Sequence, residues 1–178
     1  MSSEITRKEY KAKIIVAGDG GVGKTSLLNR YVSDTFMEVM KITIGTGFFA
    51  KVLETEASVV SLQLWDFGGE KRFRFILPSY CKGAHGVILA FDMNDFTTLM
   101  NLDEWLQIIR ENTTKPTVIL VGTKSDIAGV LDDKFIQEYL KKNDLQKFIP
   151  TSAKTGDNVE HVFEELVKDI LAQQPLGK

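Results

Sequence analysis

Apolar runs of strand length alternate with stretches of helical spacing along the whole chain, a rhythm that predicts an α/β domain with a mostly parallel sheet. Ala12-Lys13-Ile14-Ile15-Val16-Ala17 reads as a buried strand, and Lys24 to Tyr31 as the helix that follows it. Phe48 to Leu53 and Val59 to Trp65 are extended runs on either side of Glu54-Thr55-Glu56-Ala57-Ser58, the pattern of a hairpin. Gly86 to Phe91 and Thr117 to Gly122 are apolar without alternation, as expected of central strands covered on both faces. Leu99, Leu102, Trp105, Leu106 and Ile109 recur at helical spacing, as do Val159, Val162, Phe163, Leu166, Val167 and Ile170; core packing accounts for both stripes.

Composition narrows the picture without redirecting it. A chain of 178 residues with no repeat or linker fits one domain, with residues 1–9 and 174–178 expected to be flexible. A net charge of -2 leaves no electrostatic footprint for nucleic acid. The single cysteine, Cys81, excludes an intrachain disulfide and a cysteine-rich zinc site, and suits the cytoplasm. No apolar stretch is long enough for a signal peptide or a spanning helix. Ser2 replaces the glycine that myristoylation needs, and the final residues lack a prenylation cysteine. The expectation is that membrane attachment is peripheral if it occurs, either indirect or through a tail absent from this sequence.

The densest chemistry lies at Gly18-Asp19-Gly20-Gly21-Val22-Gly23-Lys24-Thr25, a match to the Walker A pattern placed between the first strand and its helix. Glycines let successive backbone N–H groups turn inward around an anion, Lys24 brings a point charge to the outer phosphates, and the Thr25 hydroxyl can ligate Mg²⁺. This loop specifies a phosphate ligand and leaves the base open, since kinases, motors and GTPases all use it.

Further along stand Leu62-Gln63-Leu64-Trp65-Asp66-Phe67-Gly68-Gly69, Thr123-Lys124-Ser125-Asp126 and Thr151-Ser152-Ala153-Lys154. With the phosphate loop, in this order and over almost the full length, they make the chain resemble the Ras superfamily of small GTPases, nearest its Rab-like or Spg/Tem-like branches. The resemblance implies a three-layer P-loop NTPase fold of six strands, one antiparallel, and about five helices. It implies GTP or GDP bound with Mg²⁺ by a slow GTP hydrolase that works as a monomeric switch in signalling or trafficking.

Residue by residue, the resemblance implies nucleotide contacts from Gly20, Gly21, Val22, Gly23, Lys24, Thr25, Ser26, Phe36, Thr43, Gly69, Thr123, Lys124, Asp126, Ser152, Ala153 and Lys154, with Mg²⁺ held by Thr25, Thr43 and Asp66. Lys24, Thr43, Gly69 and Glu70 are the expected catalytic set. The chemistry agrees with these roles. Asp66 at a strand end is placed to hold the metal through water, and Gly69 leaves room for its N–H to meet a γ-phosphate. The Asp126 carboxylate can accept two hydrogen bonds from the N1–H and exocyclic amine of guanine, a donor pair that adenine lacks. Lys124 would lie over the base, Phe36 against its edge, and a backbone N–H of Ser152-Ala153-Lys154 would read O6. Thr43 belongs to the first switch, Ser33 to Gly45, which with Phe67 to Tyr80 would meet effectors, exchange factors and activating proteins.

Two residues depart from the family pattern. Glu70 stands where a glutamine usually orients the attacking water, and a carboxylate accepts but cannot donate. It either leaves intrinsic hydrolysis slow and dependent on a partner or serves as a base. Thr123 replaces an asparagine whose amide contacts guanine N7 and ties loops together, so looser nucleotide binding is expected. Gly20 leaves no steric block to an incoming arginine. Arg72 and Arg74 are candidates for that role in cis, although solvated surface is the ordinary fate of arginine. A nucleotide-binding interaction module with little hydrolysis is the alternative function; a nucleotide kinase would need a lid that the sequence lacks.

Overall fold

The computed structural model describes residues 7–38, 41–129 and 132–173. In chain order the elements are β1 (Lys8–Ala17), α1 (Lys24–Ser33), β2 (Thr46–Glu54), β3 (Ser58–Phe67), a 3-10 segment (Lys71–Ile76), α2 (Leu77–Cys81), β4 (Gly86–Asp92), α3 (Phe96–Met100), α4 (Leu102–Asn112), β5 (Thr117–Thr123), α5 (Asp133–Lys142), β6 (Phe148–Pro150) and α6 (Val159–Gln173). The sheet runs β2-β3-β1-β4-β5-β6; β2 is antiparallel to β3 and every other pairing is parallel. That is the expected six-stranded Ras-like fold, and with α3 and α4, parted only by Asn101, taken as one, its α-helices number five among the described residues.

Both faces of the sheet are covered, which is why its strands are apolar without alternation. Along β1, Ala12, Ile14 and Val16 turn to a core closed by α1 and α6, while Ile15 and Ala17 turn to one closed by α2 through α5. Within the first core Tyr31 of α1 stacks on Phe163 of α6 with centroids 3.6 Å apart. Asp95 and Asp132 start α3 and α5 by accepting the backbone N–H of Thr97 and Lys134.

Three expectations need adjustment. β1 begins at Lys8, so residues 8 and 9 pair with Ser58 and Val59 instead of belonging to a loose lead-in; residues 1–6 and 174–178 lie outside the described residues. The stripe from Leu99 to Ile109 is two helices, because the chain turns at Asn101. α2, α5 and the three-residue β6 complete the expected six strands and five helices, but no local pattern in the sequence marks where they lie. Since β1, β3, β4, β5 and β6 are parallel, their carboxyl ends gather at one edge, where ligands of open α/β sheets bind.

Candidate functional site

The phosphate loop leaves β1 through Gly18, whose φ of 147° and whose approach to Ala90 O, 2.1 Å from where a Cβ would stand, admit no side chain. It enters α1 at Gly23, which gives the helix no side-chain cap and so leaves its first-turn N–H groups for an anion. Lys24 is 5% exposed and donates to the carbonyls of Gly18 at 2.8 Å and Asp19 at 2.7 Å. Burial pulls its ammonium down to about 8, against the attraction of Asp66 and Asp19.

Three oxygen ligands meet beside it. Thr25 Oγ1 donates to Asp66 Oδ2 and lies 2.7 Å from Thr43 Oγ1, and Thr43 Oγ1 is 3.5 Å from the same carboxylate oxygen. Asp66 is fully buried, and that burial raises its carboxyl pKa while the Thr25 hydroxyl, Lys24 and the Thr43 hydroxyl pull the other way. Its Oδ1 is buried with no hydrogen-bond partner among the described residues. Two hydroxyls and a carboxylate with a free buried oxygen are a hard donor set that fits hydrated Mg²⁺. The anchor is β3, which delivers Asp66 opposite Val16 of β1 and Gly47 of β2.

After Asp66 the chain folds back over the phosphate loop. A Cβ on Gly69 would lie 2.0 Å from Gly20 N, so only hydrogen fits there. Glu70 is not among the residues lining the cavity and pairs with Arg72, Nε to Oε2 at 2.6 Å. Arg72 is 66% exposed, as anticipated. Arg74 corrects the expectation of a solvated arginine. It is 15% exposed, lies 4.8 Å over the Trp105 ring, and pairs with Glu104 and, at 3.7 Å, with Asp19. Asp19 also accepts from Trp105 Nε1 at 3.0 Å and Asn101 Nδ2 at 2.6 Å. The phosphate loop, the 3-10 segment and α4 therefore share one partly buried carboxylate.

At the other end, Thr123 corrects the expected loss of loop tying. Its hydroxyl, buried between strands, lies within hydrogen-bond distance of the carbonyls of Val22 and, at 2.9 Å, Phe91. Lys124 follows in the left-handed region at φ 58° and extends its ammonium to Gly21 O at 2.9 Å and Asp92 Oδ2 at 2.6 Å. Asp126 Oδ1 accepts from Ser152 Oγ at 2.6 Å, which orients the carboxylate and leaves Oδ2 and further lone pairs for a ligand.

Between these ends lies a cavity of about 490 Å³, the volume of a small-molecule ligand site. Gly20, Gly21, Gly23, Lys24, Thr25, Ser26, Phe36, Thr43, Gly69, Thr123, Lys124, Asp126, Ala153 and Lys154 all line it. Val22 and Ser152 are instead buried behind the wall, where Val22 accepts from Thr123 and Ser152 holds Asp126. Leu27, Met37, Glu38, Lys41, Ile42, Ile127 and Thr151 also line the cavity without an individual contact implied by the sequence, although 37, 38, 41 and 42 fall in the expected first switch, and Asp92, Asp19 and Arg30 act as supports. Their partners are distant in sequence, so no local pattern marks them.

A phosphate loop, a cluster of hydroxyl and carboxylate oxygens and an acidic pocket at the carboxyl edge of a six-stranded sheet mark a P-loop nucleotide-binding fold. The Ras family model matches residues 13–172, and the chain belongs to that family. Over 163 residues it is 42% identical to the Ras-related protein Rab-18 of Lymnaea stagnalis, covering 89% of this chain and 80% of that protein. It is a Rab-like small GTPase, a switch protein that hydrolyses GTP. Members of the family bind GTP or GDP with Mg²⁺ and act through effectors, exchange factors and activating proteins. Among the described residues no helix is long and apolar enough to cross a membrane.

Proposed function

We propose that this cavity holds guanine nucleotide with its base on Asp126 and its phosphates over residues 20–25, and that Thr43 senses the terminal phosphate. The observation that carries this reading is the cluster of Thr25, Thr43 and Asp66 hydroxyl and carboxylate oxygens beside Lys24. Thr25, Thr43 and Asp66 would hold Mg²⁺, which when bound neutralises charge developing on the phosphate oxygens. Lys24 supplies a second, fixed positive charge, and the Gly69 N–H a hydrogen bond to the terminal phosphate. Loss of that phosphate removes a partner from Thr43 and from Gly69 together, which releases both switch segments.

To accept a hydrogen bond from the attacking water, the Glu70 carboxylate has to turn into the cavity from its place beside Arg72, whose guanidinium at 2.6 Å offsets its repulsion of the phosphate. Within the two switch segments Ile42, Ile44 and Phe75 are 69%, 73% and 79% exposed, apolar surface that suits state-dependent partners. Peripheral association with a membrane, through such partners or a lipidated tail, accords with a Rab-like chain.

Chromatography of nucleotide released from denatured protein, followed by a time course with added GTP, tests the reading; guanine nucleotide and slow turnover are expected, and adenine nucleotide overturns it. Single-turnover hydrolysis by Glu70→Ala tests the role of Glu70. A fall of roughly tenfold or more is expected for loss of a water-orienting group, whereas a native rate removes Glu70 from the mechanism.

A further inference from the structure

Helix α1 carries a side chain that reaches the far end of the cavity. Arg30 Nε donates to Ala153 O at 2.6 Å and Nη2 to Lys154 O at 2.7 Å, while Nη1 is held by Asp34 Oδ1 at 2.9 Å. Its side chain is 19% exposed, and the bond to Ala153 O is the partly buried one of the three. The guanidinium is a rigid planar fork, and two adjacent carbonyls occupy two of its prongs.

The consequence follows from peptide planarity. A carbonyl fixed in space fixes the N–H on the opposite side of the same plane. Pinning Ala153 O therefore aims the N–H of Lys154, and pinning Lys154 O aims that of Thr155. The Thr155 N–H donates to Ser152 Oγ at 3.1 Å, and Ser152 Oγ donates to Asp126 Oδ1 at 2.6 Å. A continuous chain thus runs from the Arg30 guanidinium through one peptide plane and one hydroxyl to the Asp126 carboxylate. Such chains polarise each member in the same sense. Ala153 and Lys154 line the same cavity as Asp126.

We propose that Arg30 is a positioning residue for base discrimination, holding both the 153–154 loop and the Asp126 carboxylate in the orientation that reads guanine. The inference rests on the assignment of Asp126 to the base. Arg30 touches no nucleotide; it acts through the loop carbonyls and Ser152. Because α1 also begins at Lys24 and Thr25, the same helix supports the phosphate end, and the two effects have to be separated by experiment.

Dissociation constants for GDP, GTP and IDP are measured by competition against a fluorescent guanine nucleotide, in the native protein and in Arg30→Ala and Arg30→Gln. IDP lacks the exocyclic amine that Asp126 accepts, so the GDP-to-IDP preference reads the base pocket and the GTP-to-GDP ratio reads the phosphate end. Arg30→Ala is expected to lower the GDP-to-IDP preference about tenfold, the scale of a lost charge-assisted hydrogen bond, with the GTP-to-GDP ratio unchanged. Arg30→Gln, which keeps an amide donor for one carbonyl, is expected to fall between, and it stands in if the alanine variant does not fold. A native GDP-to-IDP preference in the arginine variants overturns the proposal whatever affinity is lost in common, since O6 and N1–H are present in both nucleotides and only the aim of Asp126 at the exocyclic amine is read by their ratio. Asp126→Asn runs alongside: if it binds GDP like the native protein, the base assignment itself fails; if it loses GDP while the arginine variants keep the native preference, only the role of Arg30 fails.

Discussion

Replacing Gly69 by alanine puts a methyl group into the backbone of the phosphate loop. The added Cβ would stand 2.0 Å from Gly20 N, 2.2 Å from the Asp19 carbonyl carbon and 2.5 Å from Gly20 Cα, and every one of these is main chain. Gly69 is not among the residues with positive φ, so its requirement is one of space and not of backbone conformation. Ordinary contact begins at 3.4 Å, which obliges the two segments to part by about 1.4 Å if the change is absorbed along the shortest line. The phosphate loop is pinned by Lys24 and by the Asp19 network, so the segment carrying Gly69 and Glu70 yields. A displacement of that size at a reacting centre costs on the order of 10²-fold in rate, about 2.7 kcal/mol of barrier. GDP lacks the γ-phosphate to which the Gly69 N–H is assigned, so its affinity is expected to stay within about threefold, under the ~1.4 kcal/mol that a tenfold change requires. Single-turnover GTP hydrolysis and GDP competition binding on the same preparation measure both quantities. A native hydrolysis rate in Gly69→Ala would refute the steric argument, and a parallel collapse of GDP binding would refute the assignment of Gly69 to the terminal phosphate.

Two further outcomes follow from the same coordinates. Arg74→Ala removes a guanidinium stacked on Trp105 and paired with Glu104 and Asp19; the cation–π contact and the half-buried pairs together are worth about 2 kcal/mol, or roughly 5 °C in melting temperature for a domain of this size, and an unchanged melting temperature in calorimetry would remove it from the structural core. His85 accepts the Lys13 N–H through Nδ1 at 3.0 Å, and burial, with a smaller contribution from the Lys13 charge, holds its pKa below 6.5. The unfolded imidazole takes up a proton near 6.5 while the folded one stays neutral, so the contribution of His85 is complete above that value and is lost as pH falls toward the lowered folded pKa. Denaturant midpoints at pH 7.5 and 5.5 should therefore drop more in the native protein than in His85→Asn, and equal drops would exclude His85 as the titrating group.

The sequence exposes those parts of the fold that repeat a local pattern. Gly18, Gly23 and Lys24 sit at fixed spacing because one tight turn brings them together, and the central strands read as apolar because α1 and α6 cover one face and α2 through α5 the other. β6 spans only three residues, too few to show any period. Asn101 breaks the helical stripe without disturbing its apolar spacing, since both halves pack on the same core. Arg74 and Arg30 resemble any exposed arginine in sequence; what buries or clamps them is Trp105 in one case and the loop at 153–154 in the other, each supplied by a distant part of the chain. Thr123 lacks the amide of the family's asparagine, yet its hydroxyl still ties the phosphate loop to β4 through the carbonyls of Val22 and Phe91, partners that the sequence does not mark.

The arginine on Trp105 has an optical consequence. Indole emission is sensitive to a cation held over the ring and to the charge at its nitrogen, and Trp105 has both, one from the segment at 71–76 and one from the phosphate loop. The chain has only two tryptophans, and the other, Trp65, lies on β3 against Phe48 and Tyr80. A Trp65→Phe variant would leave a single intrinsic fluorophore seated at the joint where the phosphate loop meets the second switch. Movement of that switch could then be timed in stopped flow on protein that carries no dye and no altered nucleotide.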